Sequence, residues 1–99
     1  MNIQQSTLVF KLGVDNNFSD LNITSEVKHF IADLRGVDID LINTIKDKFI
    51  TFDESINKKN SSFLIVCNFS FDDDLKIVPT LQEAYDFIEM EEIERQLNL

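Results

Sequence analysis

The chain predicts an α/β fold, a mixed β-sheet packed by helices and completed by a long C-terminal helix. Three observations predict it. The run "SFLIVCNFSF" at residues 62–71 is apolar on both faces and too short for a helix of that character, which is the pattern of a central strand covered from both sides. Leu41, Ile45, Phe49, Phe52 and Ile56 recur at spacings of four, four, three and four, with Ile42 beside them, and so form one helical stripe. Strand-like and helix-like patterns follow one another in the order strand, ambiguous segment, helix, strand, strand, helix, with no repeat or low-complexity linker between them.

Each element has a local reason. In "TLVFKL", residues 7–12, Leu8, Phe10 and Leu12 face one way and Thr7, Val9 and Lys11 the other, the alternation of a half-buried strand. "GVDNNFSD" follows, with Gly13 and an Asn-Asn pair suited to a turn. "TSEVKHFIADLRGVD" fits two descriptions. Val27, Phe30, Ile31 and Leu34 have helical spacing with Gly36 as the residue past the helix end, yet "HFIADL" also reads as a buried strand running into a glycine turn. Asp38 or Asp40 can cap the next helix, and Lys58 and Lys59 stand where cations favour its negative end. "FDDDLKIVP" predicts a turn and a short strand from Leu75 to Val78, stopped by Pro79. Thr80 caps the last helix, with Glu83 three residues on as its capping-box partner.

Ninety-nine residues make one domain, spanning 1–99, large enough to bury about 60–65% of the unfolded chain's surface. Hydrophobic residues at 43%, including nine Phe, supply its core. The net charge of −9 repels a phosphate backbone and an anionic membrane surface, so neither direct nucleic-acid binding nor membrane binding is expected; the same charge suits a basic protein partner but also simply keeps a chain soluble. The single cysteine, Cys67, lies inside an apolar run, as a buried thiol does in a reducing compartment. No apolar segment approaches the length of a membrane span and no signal-peptide pattern opens the chain, so a cytoplasmic protein is expected.

Taken in order, "FIADLRGV", a helix, "FLIVCN" and "LKIVPTLQEAYDFI" resemble the STAS domain, the anti-sigma-factor antagonist fold. There a strand ending in an Asp-Leu-x-Gly-Val-like turn feeds a helix, a hydrophobic strand follows, and a short strand leads through "P-T-x-x-E-A" into the C-terminal helix. More narrowly, "IVPTLQEAYDFIEMEEIERQL" is similar to the C-terminus of a group of small, divergent STAS-like bacterial proteins. These often carry M-E-E-I-E-R and are linked by name or genomic context to the tRNA-processing enzyme ribonuclease Z. The resemblance covers residues 29–97 and is specific over the last twenty. It implies the strand reading for "HFIADL" and a regulatory rather than catalytic role. The chain departs from the family where kinase-switched members carry a D-S-x-G-like motif. Here "GVDIDLINT" keeps Asp38 and Asp40 but puts Leu41 or Ile39 at the serine position, with Thr44 a turn inside the helix, a degenerate phosphosite. The early helix of the family is also reduced or lost before "HFIADL".

Catalytic parts are few. A ribonuclease Z-type hydrolase needs several imidazoles and carboxylates around zinc, whereas this chain has one histidine, His29, expected at an edge or surface. Asp72, Asp73 and Asp74 form the best cation candidate, but the calcium-loop pattern is absent and a solvated turn is expected. Cys67 has no basic neighbour in sequence to activate it, and two glycines make no phosphate-binding loop. No enzyme, cofactor or metal site is expected.

The tail carries the functional signal. At about 100° per residue, Leu81, Ala84, Tyr85 and Ile88 gather on one side of the last helix, and Glu92 and Arg95 continue that side. Met90, Ile93 and Leu97 fall together roughly 140–160° away. Three outcomes compete: a helix that runs past the sheet and presents the trio, rimmed by Glu91 and Glu94, from a protruding tail at 90–99; a break near Glu89 that folds the tail back; or a frayed end. The first makes a partner-binding surface of Met90, Glu91, Ile93, Glu94 and Leu97, with ribonuclease Z, an associated factor or an anti-sigma factor as partner. A regulator binding a small molecule or metal at the acidic turns, and a homodimer through the tail, are the alternatives.

Overall fold

The structure is a computed structural model that describes residues 6–11, 27–57 and 61–97, for Asn57 the backbone alone. Expectations for Leu12, the turn at 13–20, the lost early helix and the cations Lys58 and Lys59 lie outside the described residues. Four strands, β1 (Thr7–Phe10), β2 (His29–Asp33), β3 (Ser62–Val66) and β4 (Ile77–Val78), form one sheet in the order β1-β2-β3-β4. Two helices accompany it among the described residues, α1 (Ile39–Asn57) between β2 and β3 and α2 (Leu81–Leu97) after β4.

The α/β class and the long C-terminal helix are as expected. Strand direction is not mixed among the described residues: all three pairings are parallel, so β1, β2, β3 and β4 all start from the same end of the sheet. "HFIAD" is a strand, as the family resemblance implied, buried along its whole length like β3. β4 starts two residues later than expected. Leu75 sits in the core ahead of it, and the Lys76 carbonyl already accepts from the Ile65 N–H at 2.9 Å.

The strand alternation splits the core in two. Phe30, Ala32, Phe63, Ile65 and Cys67 meet Ile42, Ile45, Phe49 and Ile56 of α1 on one face. Ile31, Leu64 and Val66 meet Ala84 and Ile88 of α2 on the other. The phenylalanines concentrate on the α1 side. Phe52 stands edge-on to Phe30 and to Phe63 at 5.1 Å each, and Phe10 stacks on Phe63 at 6.3 Å. Cys67 is buried there, as its sequence context required.

Both helices begin on side-chain caps. Asp38, not Asp40, caps α1: its carboxylate accepts from the Asp40 N–H at 3.2 Å and its carbonyl from the Ile42 N–H at 3.0 Å. Thr80 caps α2, its hydroxyl accepting from the Glu83 N–H at 3.1 Å. Between β2 and α1 the chain turns at Gly36, whose φ is +80°. The fork of Arg35 closes over this turn, with Nε 2.9 Å and Nη2 2.8 Å from the two oxygens of Asp33. These hydrogen bonds hold the Asp33 carboxyl below the usual carboxylate range.

A Cβ at Gly36 would meet nothing within 4 Å, so backbone conformation alone decides the cost of a side chain there. Gly36→Ala is expected to lose about 1–2 kcal/mol, and Gly36→Asn less, since asparagine tolerates the left-handed region. Urea unfolding midpoints of the two variants check the order.

Candidate functional site

The α2 side of the sheet changes character along its length. On β2 the residues facing α2 are His29, Ile31 and Asp33; on β3 they are Ser62, Leu64 and Val66. The helix matches this row by row. Ala84 and Ile88 cover Ile31, Leu64 and Val66. One and two turns further on, Glu92 and Arg95 arrive over His29 and Ser62, which pair at the start of the two strands. Arg95 Nη2 donates to Ser62 Oγ at 3.0 Å and Nη1 to Glu92 Oε1 at 2.6 Å. That same Glu92 oxygen lies 3.3 Å from His29 Nε2.

His29 is therefore not the edge or surface residue expected; only 1% of it is exposed. Strand parity turns it inward, and its polarity is met rather than hidden. Its Nδ1 accepts a hydrogen bond from the Ser62 N–H at 3.2 Å, which places the proton of the neutral ring on Nε2, facing Glu92. Burial is the largest influence on this imidazole and pushes its pKa below 6.5; Glu92 opposes that shift and Arg95 adds to it.

This junction explains why the inward stripe of α2 becomes polar at Glu92 and Arg95. The helix neither breaks at Glu89 nor leaves the sheet. It is continuous from Leu81 to Leu97, and its last turns are attached by hydrogen bonds instead of apolar contact. The opposite side stays uncovered: Met90 is 62% exposed, Ile93 51% and Leu97 78%. Phe87, 39% exposed, extends the same face, a residue that reading the tail alone had left out. Its signal was present, since Phe87 lies one turn before Met90. Glu91 is tied down by Lys76 Nζ at 2.6 Å, while Glu94 stays exposed. Phe87, Met90, Glu91 and Glu94 together line a shallow hollow on the helix surface.

The other candidate residues do not converge. Asp38 and Asp40 lie exposed at the start of α1 and Leu41 is half-buried against the core. Thr44 is exposed, its hydroxyl donating back to the Asp40 carbonyl at 2.9 Å. Asp72 caps its own turn, accepting from the Asp74 N–H at 2.8 Å, and faces Lys46 at 3.9 Å. Among the described residues no group of three or more His, Cys, Asp or Glu side chains is placed to hold a metal ion. No described helix is long and apolar enough to cross a membrane. Compared with known proteins, the chain matches no family model, no curated protein and no solved structure.

Two outcomes follow from the junction. Because the folded-state pKa of His29 is below 6.5, the unfolded chain takes up the proton first as pH falls. Its contribution is complete above pH 6.5 and is lost from there down to the folded-state pKa. His29→Asn, which keeps an acceptor for the Ser62 N–H but cannot titrate, should lower stability overall and flatten that part of the pH curve in urea titrations. Arg95→Ala, which leaves the buried Ser62 hydroxyl without its donor and Glu92 with only the His29 N–H facing it, should cost about 1–3 kcal/mol by the same measurement.

Proposed function

We propose that this protein is a non-catalytic interaction and regulatory module of the cytoplasm, which binds another protein through the outer face of α2. The observation that carries the reading is the division of labour on that helix. One side is committed throughout its length to the sheet, by Ala84 and Ile88 and then by Glu92 and Arg95. The other side exposes Phe87, Met90, Ile93 and Leu97 in a row among Glu83, Asp86 and Glu94. Met90, Ile93 and Leu97 have the three-then-four spacing with which one helix receives another, and the acidic residues around them set orientation and partner charge. The STAS resemblance nominates ribonuclease Z or an associated factor as the partner, with an anti-sigma factor second. Regulation in this reading works by occupancy of the helix face, since the serine position of switched family members is filled by Leu41 or Ile39.

The test separates the two sides of one helix. Ile93→Asp is expected to change stability by no more than about 0.5 kcal/mol, because Ile93 touches no core, and to remove partner capture in a bacterial pull-down followed by mass spectrometry. Unfolding of this variant, or capture of the same protein by it, would count against the reading. Truncation after Glu89 is not an equivalent experiment. It also strips Glu92 and Arg95 from His29 and Ser62, so its losses mix stability with binding.

A further inference from the structure

We infer that the hollow between Phe87, Met90, Glu91 and Glu94 seats an arginine projected by a helix of a basic partner protein, an inference that rests on α2 being the docking face. The four residues stand at positions i, i+3, i+4 and i+7, the arrangement of a hole into which a facing helix inserts one side chain. Two of its walls are apolar, a ring and a thioether, and two are carboxylates. That combination suits a side chain with a long aliphatic stem and a cationic head.

The carboxylates are unequally satisfied. Lys76 donates to Glu91 Oε2 at 2.6 Å, but Glu91 Oε1 is buried with no hydrogen-bond partner. With Oε1 buried and Oε2 held by Lys76, the exposed Glu94 carboxylate is the acceptor an incoming head group meets. A guanidinium brings it several donors in a fixed plane, with the Glu91 charge behind it. Its flat, weakly hydrated head also lies well against Phe87, whose ring already has the Lys76 ammonium 5.8 Å from its centre. Arginine fits this seat better than lysine for both reasons.

Charge selects the occupant of the whole face. Glu83, Asp86, Glu89 and Glu94 flank the exposed row, and the only cation on α2, Arg95, is turned inward onto Ser62 and Glu92. A second copy would bring the same acids against these, each chain carrying −9, with nothing on the helix to neutralise them. A helix with leucines along its seam and arginines beside them complements the face instead.

The full chain is titrated, by fluorescence anisotropy, with an alanine-based helical peptide carrying leucine at its a and d positions and arginine at e and g. A matched peptide carries citrulline, the neutral isostere, in place of each arginine. The expected result is at least about tenfold weaker binding of the citrulline peptide, with the difference shrinking to about twofold in Glu91→Gln and in Glu94→Gln. Equal binding of both peptides, abolished by Ile93→Asp, would overturn the arginine seat and leave the docking face standing. Preference for arginine that persists in both glutamine variants would also overturn the seat. Failure of either peptide to bind, with circular dichroism showing α2 intact, would overturn the seat and the docking face together. A dimer by light scattering that Ile93→Asp dissociates would make a second copy the occupant and overturn the inference.

Discussion

Everything in this fold depends on the burial of β2 and β3 on both faces. Parallel strands whose side chains are apolar above and below the sheet have no solvent side, so each face needs a helix over it. α1 covers one face with a broad stripe rich in Phe and Ile. α2 covers the other with much less, since Ala84 and Ile88 are its fully buried residues. The economy works because the sheet presents a short apolar patch on that side, Ile31, Leu64 and Val66, before turning polar at His29 and Ser62.

From that constraint follows the behaviour of the last helix. Its first turns are held by apolar contact and its last by a junction of imidazole, hydroxyl, carboxylate and guanidinium. A polar junction of this kind contributes little net stability but is costly to leave half-made, so it fixes where the helix lies more than how tightly it binds. Holding the final turns on the sheet keeps Met90, Ile93 and Leu97 on a continuous helical ridge pointing away from the protein. That exposed row of large apolar side chains is the feature on which the proposed docking surface rests.

Much of the fold was legible in the residues. The stripe from Leu41 to Ile56, the doubly apolar run of β3 and the cap at Thr80 are local patterns with one economical solution each, whereas the α1 cap was legible only as Asp38 or Asp40. The angular separation of Met90, Ile93 and Leu97 from the inward side was legible too, since it follows from spacing. Their exposure was not, because a fold-back or a frayed end remained open until the helix was seen to be continuous. "HFIADL" was different, since a short apolar run satisfies a helix and a strand equally. His29 was misplaced for a related reason: taken alone, a histidine beside an apolar run belongs as readily outside as in. Its partners are 33 and 63 positions further along the chain, at Ser62 and Glu92. The matching parities of His29 with Ile31, Ser62 with Leu64, and Glu92 with Ile88 were visible, but they signify contact only once the strand register and the path of α2 are set.

The sequence by itself determined the order and kind of most elements and the two-sidedness of the final helix, because periodicity and capping act within a few residues. Only the tertiary structure decided that every described strand pairing is parallel. It also decided that Glu92 and Arg95 meet a histidine and a serine rather than solvent, and that one oxygen of Glu91 is left without a donor. These facts depend on register and on the packing of segments distant in the chain, where hydrogen-bond geometry and desolvation, not local preference, choose between arrangements that the residues alone permit equally.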